Sequence, residues 1–241
     1  MIRTIQKTKK YFPDIRFLLL LTVVLILSAC AMRPSVIDRT TSSAKAGLSE
    51  NVRQILLVTD ERFLFFASRK VYVLEKQDST WRQAMEPIDA VVGRNGFAPS
   101  GQKREGDGRT PSGLYRLGTA FGYTASAVTK MPYRQAMADD VWVDDVGAPD
   151  YNRWVKQNET RALSYEKMKR DDHLYQYGMV IEYNTDPVIK GYGSAIFLHI
   201  WAGSGSSTAG CVAVSEEDML KILAWLDPAA APAILINPDA Q

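Results

Sequence analysis

A cysteine and a histidine near the carboxyl end of the chain have the types and the spacing for covalent chemistry. Cys211 lies in SSTAGCVAVS, and His199 lies twelve positions before it, at the end of an apolar run. The thiolate is the nucleophilic form of cysteine, so the thiol needs a base within reach. A strand, a loop and a returning strand can bring the two side chains together. The spacing therefore predicts a Cys–His pair for nucleophilic catalysis.

A structural role for this cysteine is the alternative, because a lone cysteine is often a small buried hydrophobic residue. The spacing alone leaves both interpretations open. The other cysteine, Cys30, is expected to be acylated, which leaves Cys211 without a disulfide partner. The other histidine, His173, lies in the polar segment KRDDHLY, and we interpret it as a surface residue.

Several segments around these residues resemble a known family. IFLHIWAGSGSSTAGCVAVS resembles the active-site signature of the L,D-transpeptidase (YkuD-type) family, in which a histidine, a Gly/Ser-rich span, a Ser or Thr and a Gly-Cys pair follow one another. EGDGRTPSGLYRLG is similar to that family's Thr-Pro-x-Gly stretch, and VVGRNG and WVDDVGAPDYNRWV resemble one branch of it. The resemblance extends from about Gln54 to Ile236 and covers nearly the whole mature domain.

The resemblance implies a fold, a reaction and the roles of four residues. The implied fold is mostly β, a β-sandwich of two mixed sheets with a few short helices. The implied reaction is acyl transfer on peptidoglycan stem peptides: Cys211 attacks the carbonyl at the third residue with His199 as the base, D-alanine leaves, and the thioester passes to an amine or to water. Thr208 takes the Ser/Thr position, and the amides of Gly210 and Cys211 form an oxyanion site at a turn that glycine permits. No cofactor and no metal are implied.

The sequence departs from the family pattern at two positions. Ala209 stands where many members have histidine, and Ala213 stands where many have arginine. The second change removes a cation for a substrate carboxylate. Because a guanidinium pairs with a carboxylate through two hydrogen bonds, we predict that Arg109 takes this role. The alternative is a structural ion pair between Arg109 and Asp107 or another neighbour.

An acidic segment, MADDVWVDDVGAPD, is the candidate site for a positive substrate group. We predict that the Asp139–Asp145 cluster, with Asp144 and Asp145 as site residues, meets the ammonium group of a diaminopimelate side chain. The alternatives are a solvated face and a cation site, and the missing spacing of a calcium loop favours the solvated face over a metal. Trp142 and Trp154 are expected to pack in the core or in the wall of the cleft.

The elements that must position these residues are mainly strands. Segments rich in β-branched residues and bounded by polar turns predict seven strands: 54–59, 70–77, 88–93, 114–118, 177–184, 194–201 and 232–237. Two helices are predicted. One lies in RALSYEKMKRD (161–171), and the other lies in SEEDMLKILAWLDP, where Ser215 caps the helix, Asp218 sits at the reciprocal capping position and Pro228 ends it.

The amino-terminal region predicts export and a lipid anchor. A basic start is followed by the apolar run Phe17–Leu27, shorter than the ~20 residues of a spanning helix, and then by LSAC, which resembles a bacterial lipoprotein signal. We therefore expect a signal peptide over 1–29, lipidation at Cys30, a tether with little structure over 30–51 and the catalytic domain over 52–241. Ala31 favours the periplasmic side of the outer membrane over the inner membrane. The alternatives are an uncleaved anchor with an incidental cysteine, and a segment 32–51 that packs on the domain.

Composition and the pair of reactive residues limit the function. The chain has 241 residues and a net charge of +2, too balanced for a nucleic-acid binder, and its 46% hydrophobic content suffices for one sizeable core. The expected partners are peptidoglycan stem peptides and, through Cys30, a membrane. Three functions stay open: a transpeptidase, a carboxypeptidase or endopeptidase that passes the thioester to water, and a non-catalytic peptidoglycan binder. The presence of both Cys211 and His199 argues against the third.

Overall fold

Short strands make up most of the chain that the structure describes. The structure is a computed structural model that describes residues 51–63, 66–78 and 80–237. Its elements in chain order are β1 Gln54–Phe63, β2 Phe66–Gln77, β3 Thr80–Gln83, β4 Ile88–Val91, β5 Phe97–Ala98, β6 Thr110–Pro111, β7 Gly113–Gly122, β8 Tyr133–Gln135, β9 Asp140–Val143, β10 Trp154–Lys156, β11 Tyr165–Lys167, β12 Tyr177–Ile181, β13 Phe197–Ile200, β14 Val212–Val214, α1 Glu216–Trp225, a 3-10 helix Pro228–Ala230 and β15 Ala233–Ile236. The predicted signal peptide, Cys30 and the predicted tether, apart from Asn51, lie outside the described residues.

Eight strands form one mixed sheet that closes on itself, and we call it the closed sheet. Its order is β1-β15-β7-β12-β13-β14-β4-β2, and β2 returns to pair with β1. The β1–β15 and β13–β14 pairs are parallel, whereas the other pairs of the ring are antiparallel. The mostly β fold with mixed pairing is therefore confirmed. A sandwich has two separate sheets, whereas here the β1–β2 pair joins the strands into one continuous sheet.

Alternation along the strands gives the closed sheet its core. Successive side chains of a strand point to opposite faces, so Leu56 and Val58 join the main buried cluster while Ile55 and Leu57 pack on the other face. The outer face of β1 is itself covered by Trp81 of β3. All seven predicted strands are present.

Helix α1 packs on the core as its sequence predicts. Ser215 is the N-cap, and its Oγ accepts a hydrogen bond from the Asp218 amide at 3.1 Å. Met219, Ile222 and Leu223 are the buried face of the helix, and its end before Pro228 agrees with the prediction.

The predicted helix over 161–171 is wrong. Tyr165–Lys167 is strand β11, which pairs with β9. The order β10-β9-β11 forms a separate three-stranded sheet, which we call the side sheet (residues 140–167). Pairing with β9 outweighs the weak local helix preference of this segment, because tertiary contacts routinely override propensity. No helix in the described ranges is long and apolar enough to cross a membrane.

Candidate active site

Two adjacent parallel strands bring the cysteine and the histidine into one cleft. Leu198 pairs with Val212 and His199 pairs with Ala213, so Cys211, just before β14, lies level with Phe197. Alternate residues face the same side of a strand, and both Cys211 and His199 line a cleft of about 420 Å³. The structure thus has the strand–loop–strand return that the spacing predicted.

The imidazole of His199 is buried and held in one tautomer. Its Nδ1 lies 2.8 Å from the carbonyl oxygen of Ile200, and a carbonyl can only accept, so Nδ1 carries the proton and Nε2 is left as the proton acceptor. Tyr175 packs edge-on against the ring, with centroids 5.1 Å apart. Burial lowers the pKa of His199 to about 4.

The thiol of Cys211 is also buried, with 7% of the residue exposed. Its Sγ lies 3.3 Å from the carbonyl oxygen of Ala195, to which it donates, and it accepts from the Phe197 amide at 3.4 Å. Burial raises the pKa of the thiol to about 12. At neutral pH the thiol and the imidazole are therefore both uncharged, and the resting site contains no thiolate–imidazolium pair.

The predicted loop residues hold the backbone of the cysteine. The Thr208 hydroxyl donates to the carbonyl oxygen of Cys211 at 2.7 Å, and the Thr110 hydroxyl donates to the same oxygen at 3.2 Å. The Gly210 amide donates to Thr208 Oγ1 at 3.1 Å. A Cβ on Gly210 would stand 3.0 Å from the carbonyl oxygen of Arg109, so this close approach of two loops favours glycine.

Arg109 is exposed and is not among the described residues that line the cleft. Its amide, rather than its guanidinium, donates to Asp107 Oδ1, at 2.8 Å. The side-chain partner of Asp107 is Lys103, whose Nζ lies 2.6 Å from Oδ1. Lys103 is 4% exposed and lines the cleft together with Arg94. The cations of the cleft in this region are therefore Lys103 and Arg94.

The aspartate cluster divides into different environments. Asp144 lines the cleft, and burial, with a smaller contribution from the nearby Glu105 charge, raises the pKa of its carboxyl group. Asp145 is half-buried and accepts from the Gly147 amide within its own loop and from the Leu163 amide of the loop between β10 and β11, each at 2.8 Å. Asp139 and Asp140 pair with Lys156. Within residues 51–237 as described, no cluster of His, Cys, Asp and Glu is arranged to hold a metal ion.

Aromatic residues connect the side sheet to the strand that precedes the cysteine loop. Trp142 packs edge-on against Phe197, with centroids 5.0 Å apart, and Phe121 packs against both Trp154 and Phe197. The prediction that the two tryptophans pack in the core or in the cleft wall is confirmed for Trp142, which is 6% exposed.

Other lining residues were not assigned from the sequence. They are Arg94, Lys103, Glu105, Glu166, Arg170 and Tyr175. The first three lie in or beside the segments VVGRNG and EGDGRTPSGLYRLG. Their position in segments that resemble the family is a signal by which they could have been predicted. Tyr175 has no comparable signal, because only its packing on His199 marks it.

Two solved structures and one family model are similar to this chain. The structure of Bd1075 from Bdellovibrio bacteriovorus matches with 17% identity, a TM-score of 0.39 and coverage of 77% of this chain and 47% of that chain. The helical cell shape determining protein Pgp2 from Campylobacter jejuni matches with 16% identity, a TM-score of 0.39 and coverage of 84% and 56%. The chain thus spans about half the length of these two structures. No curated protein matches it. The model of the YkuD family, the L,D-transpeptidase catalytic domain, matches residues 60–235, and the chain therefore belongs to that family.

Proposed function

We propose that this domain is an L,D-transpeptidase that performs cysteine-dependent acyl transfer on peptidoglycan stem peptides. Cys211 is the nucleophile and His199 is the base. The observation that carries the proposal is that the thiol and the imidazole reach one cleft from adjacent parallel strands. Nucleophilic catalysis needs this arrangement of a nucleophile beside a base whose tautomer is set by a third group, here the Ile200 carbonyl.

The neutral resting pair determines the order of proton transfers. Because the thiol is protonated, Sγ forms its bond to the substrate carbonyl carbon as its proton passes to Nε2 of His199. The imidazolium then protonates the leaving amine of D-alanine, and a thioester on Cys211 remains. The acceptor amine gives a proton to His199, attacks the thioester and forms the new amide, and the thiol leaves with that proton.

The developing oxyanion needs hydrogen-bond donors near Sγ. The Gly210 amide already donates to Thr208 Oγ1, so the Cys211 amide is the more available of the two donors expected there. Thr208 and Thr110 both donate to the Cys211 carbonyl, which fixes the backbone on the carboxyl side of Cys211 before substrate binds. Preorganised donors of this kind need no rearrangement during the reaction.

The charges of the cleft suit a substrate that carries both signs. Arg94 and Lys103 are candidates for the carboxylates of the donor, and Arg109, predicted from the sequence for the same group, is the competing candidate. Asp144 is the candidate for the ammonium group, since its Oδ1 is buried and has no hydrogen-bond partner among the described residues. Asp145, which is half-buried, is the second candidate for that group.

Mass spectrometry of the products tests the reaction. The purified protein is incubated with tetrapeptide muropeptides, and cross-linked products with loss of D-alanine are expected from wild type and not from Cys211→Ala. Tripeptides without cross-links would identify a hydrolase instead. Binding without any product would identify a non-catalytic binder.

An acylation test addresses the nucleophile alone. The family resemblance implies that a carbapenem acylates Cys211. The intact mass of the wild-type protein is expected to increase by one adduct, and that of Cys211→Ala is not expected to change. An equal adduct on both proteins would place the reactive group elsewhere.

We also propose that Cys30 carries the lipid and that the domain works on the periplasmic side of the outer membrane, with the inner membrane as the alternative. The proposal depends on the LSAC segment and on Ala31. Cys30→Ala is expected to keep its signal peptide, which a mass measurement of the processed chain detects. A variant that matures and fractionates like wild type would contradict lipidation.

A further inference from the structure

The carbonyl group that accepts the hydrogen bond of the Cys211 thiol belongs to Ala195, a residue in a rare backbone conformation. Ala195 has a φ of +52°, in the left-handed region that residues with a Cβ seldom adopt. Its carbonyl oxygen lies 3.3 Å from Cys211 Sγ. Such a conformation persists only where the surroundings determine it, and it is concentrated at functional sites.

A side chain from the side sheet holds Ala195 in this conformation. Asn152 lies between β9 and β10, is 1% exposed, and accepts from the Ala195 amide through Oδ1 at 3.2 Å. The same oxygen accepts from Trp142 Nε1 at 2.7 Å. The Nδ2 group donates to the carbonyl oxygens of Asn184, at 2.6 Å, and Tyr183, at 3.2 Å. All the hydrogen-bonding positions of this buried amide are used, so its orientation is determined.

The two residues before Ala195 are held in a similar way. The Gly193 amide donates to the hydroxyl of Tyr151 at 3.1 Å, and the Ser194 hydroxyl donates to Glu105 Oε2 at 2.7 Å. Tyr151 also donates to Glu105 Oε2, at 2.5 Å. Three consecutive residues are thus fixed by side chains from outside their own segment, and only the third of them contacts the thiol.

We propose that Asn152 is a positioning residue for Cys211: its amide oxygen accepts from the Ala195 N–H and so holds Ala195 in the left-handed conformation in which its carbonyl accepts the S–H of the thiol. The inference deepens the proposed function, since it rests on Cys211 as the nucleophile. The hydrogen bond adds to burial in favouring the protonated thiol, and it holds Sγ in the position from which it attacks; only the S–H turns to His199 when the substrate is bound.

Loss of this contact has two effects with opposite signs. A carbonyl that accepts S–H favours the protonated thiol, so without it the thiolate forms more easily and reacts faster with a small reagent. Turnover falls, because the thiol is no longer held in the line from which it attacks. A purely structural role of Asn152 would expose the thiol and raise alkylation by the same factor at every pH, whereas loss of this hydrogen bond moves the pH profile of alkylation to lower pH.

The experiment compares two identical substitutions at left-handed asparagines. Asn152→Gly keeps a backbone that tolerates the φ of +59° and removes the amide. Asn237→Gly is the matched control, because Asn237 has a φ of +47° and donates its amide to Ser112 Oγ rather than to Ala195. The rate of iodoacetamide addition at Cys211 is measured against pH by peptide mass spectrometry, beside kcat and KM on tetrapeptide muropeptide.

The expected signature belongs to Asn152→Gly alone. Alkylation near neutral pH rises about 3- to 10-fold, as the loss of one hydrogen bond to the protonated thiol allows. The kcat falls about 10-fold or more while KM changes little. Unchanged alkylation and unchanged kcat, or a loss of thermal stability alone, would overturn the proposal.

A second variant covers the case in which Asn152→Gly does not fold. Asn152→Asp keeps the oxygen acceptor and the tolerance for a left-handed backbone, and burial against the Asn184 and Tyr183 carbonyls favours a protonated carboxyl group, which still donates to one of them. Its alkylation profile is therefore expected to stay closer to wild type than that of Asn152→Gly. A raised alkylation rate in Asn152→Asp would overturn the acceptor role. Alkylation needs no peptidoglycan, so a shifted profile with no muropeptide turnover in wild type would contradict the proposed function and leave the positioning role standing.

Discussion

The closed sheet and the side sheet contribute different things to the same cleft. The closed sheet carries Cys211 and His199 on neighbouring strands whose residues are buried throughout. The side sheet has strands of three or four residues and contributes polar groups, including Asp144, Glu166 and Asn152. The thiol and the imidazole thus lie on the well-packed layer, where side chains are held most accurately. The side sheet supplies the charges and the second layer of hydrogen bonds.

The contact between the two sheets explains how the smaller one can influence the chemistry. Trp142 of β9 packs on Phe197 of β13, and the Phe197 amide donates to the thiol. Trp142 also donates to Asn152, which accepts from the amide of Ala195, the residue whose carbonyl accepts from the thiol. Displacement of the side sheet would therefore change both hydrogen bonds of Cys211.

The largest expected effect tests where the base lies. His199→Ala should lower turnover by about 10²–10⁴, the usual contribution of a positioned proton acceptor. His173→Ala should change it little, because His173 is exposed in the connection that follows the side sheet. Steady-state kinetics on tetrapeptide muropeptide measures both variants. A larger loss of turnover for His173→Ala than for His199→Ala would identify His173 as the base.

The next effect concerns acid stability. Burial lowers the pKa of His199 from 6.5 to about 4, so between these values the unfolded chain binds a proton that the folded chain does not. Above about pH 6.5 the imidazole is neutral in both states and does not affect the free energy of unfolding. As the pH falls towards 4, protonation of the unfolded chain lowers the free energy of unfolding by about 3 kcal/mol in all. The free energy of unfolding, measured with urea, should fall over this pH range for wild type and not for His199→Gln. The advantage of wild type over the variant should therefore be smaller at low pH than at neutral pH.

The exposed histidine is the control for this measurement. His173→Gln should keep the wild-type pH dependence. Hydrogen bonds and nearby cations lower the pKa of Asp107 and Asp140, so the stability that these carboxylates contribute is lost at still lower pH in every variant and cancels in the comparison. Parallel profiles for wild type and His199→Gln would contradict a buried neutral imidazole.

The smallest expected effect compares the charges that each sheet supplies. Arg94→Ala, in the loop after β4, and Asp144→Asn, in the side sheet, should each weaken donor binding by about 1–3 kcal/mol, the value of a hydrogen bond to a charged group. A donor without the carboxylate should bind equally to wild type and Arg94→Ala. A donor without the ammonium group should bind equally to wild type and Asp144→Asn.

Arg109→Ala is the companion variant for this test. Its side chain is exposed outside the lining of the cleft, so tetrapeptide kinetics should change less than for Arg94→Ala. Alkylation of Cys211 should keep its wild-type rate in all three variants. A larger loss for Arg109→Ala would make it the partner of the carboxylate, as the sequence predicted.

Predictability differed between the two sheets for a physical reason. The strands of the closed sheet are apolar runs such as Ser194–Trp201, and burial on both faces leaves that signal in the sequence. The short strand Tyr165–Lys167 has mixed polarity and depends on its pairing with β9, so local preference predicted a helix there. Helix α1 was predictable because its cap, its apolar face and its terminating proline are all local.

The amino-acid sequence alone determined the family and the mostly β fold, since both depend on short motifs and local patterns. It also determined the Cys211–His199 pair, because one strand–loop–strand return spans the spacing between them. Tertiary structure decided which charges line the cleft, because Arg94 and Arg109 differ in placement and not in chemistry. It decided the protonation of the pair, because burial raises the pKa of the thiol and lowers that of the imidazole. It also decided the contacts of Asn152, whose partner Ala195 is 43 residues away along the chain and is reached only when the side sheet packs on the closed sheet.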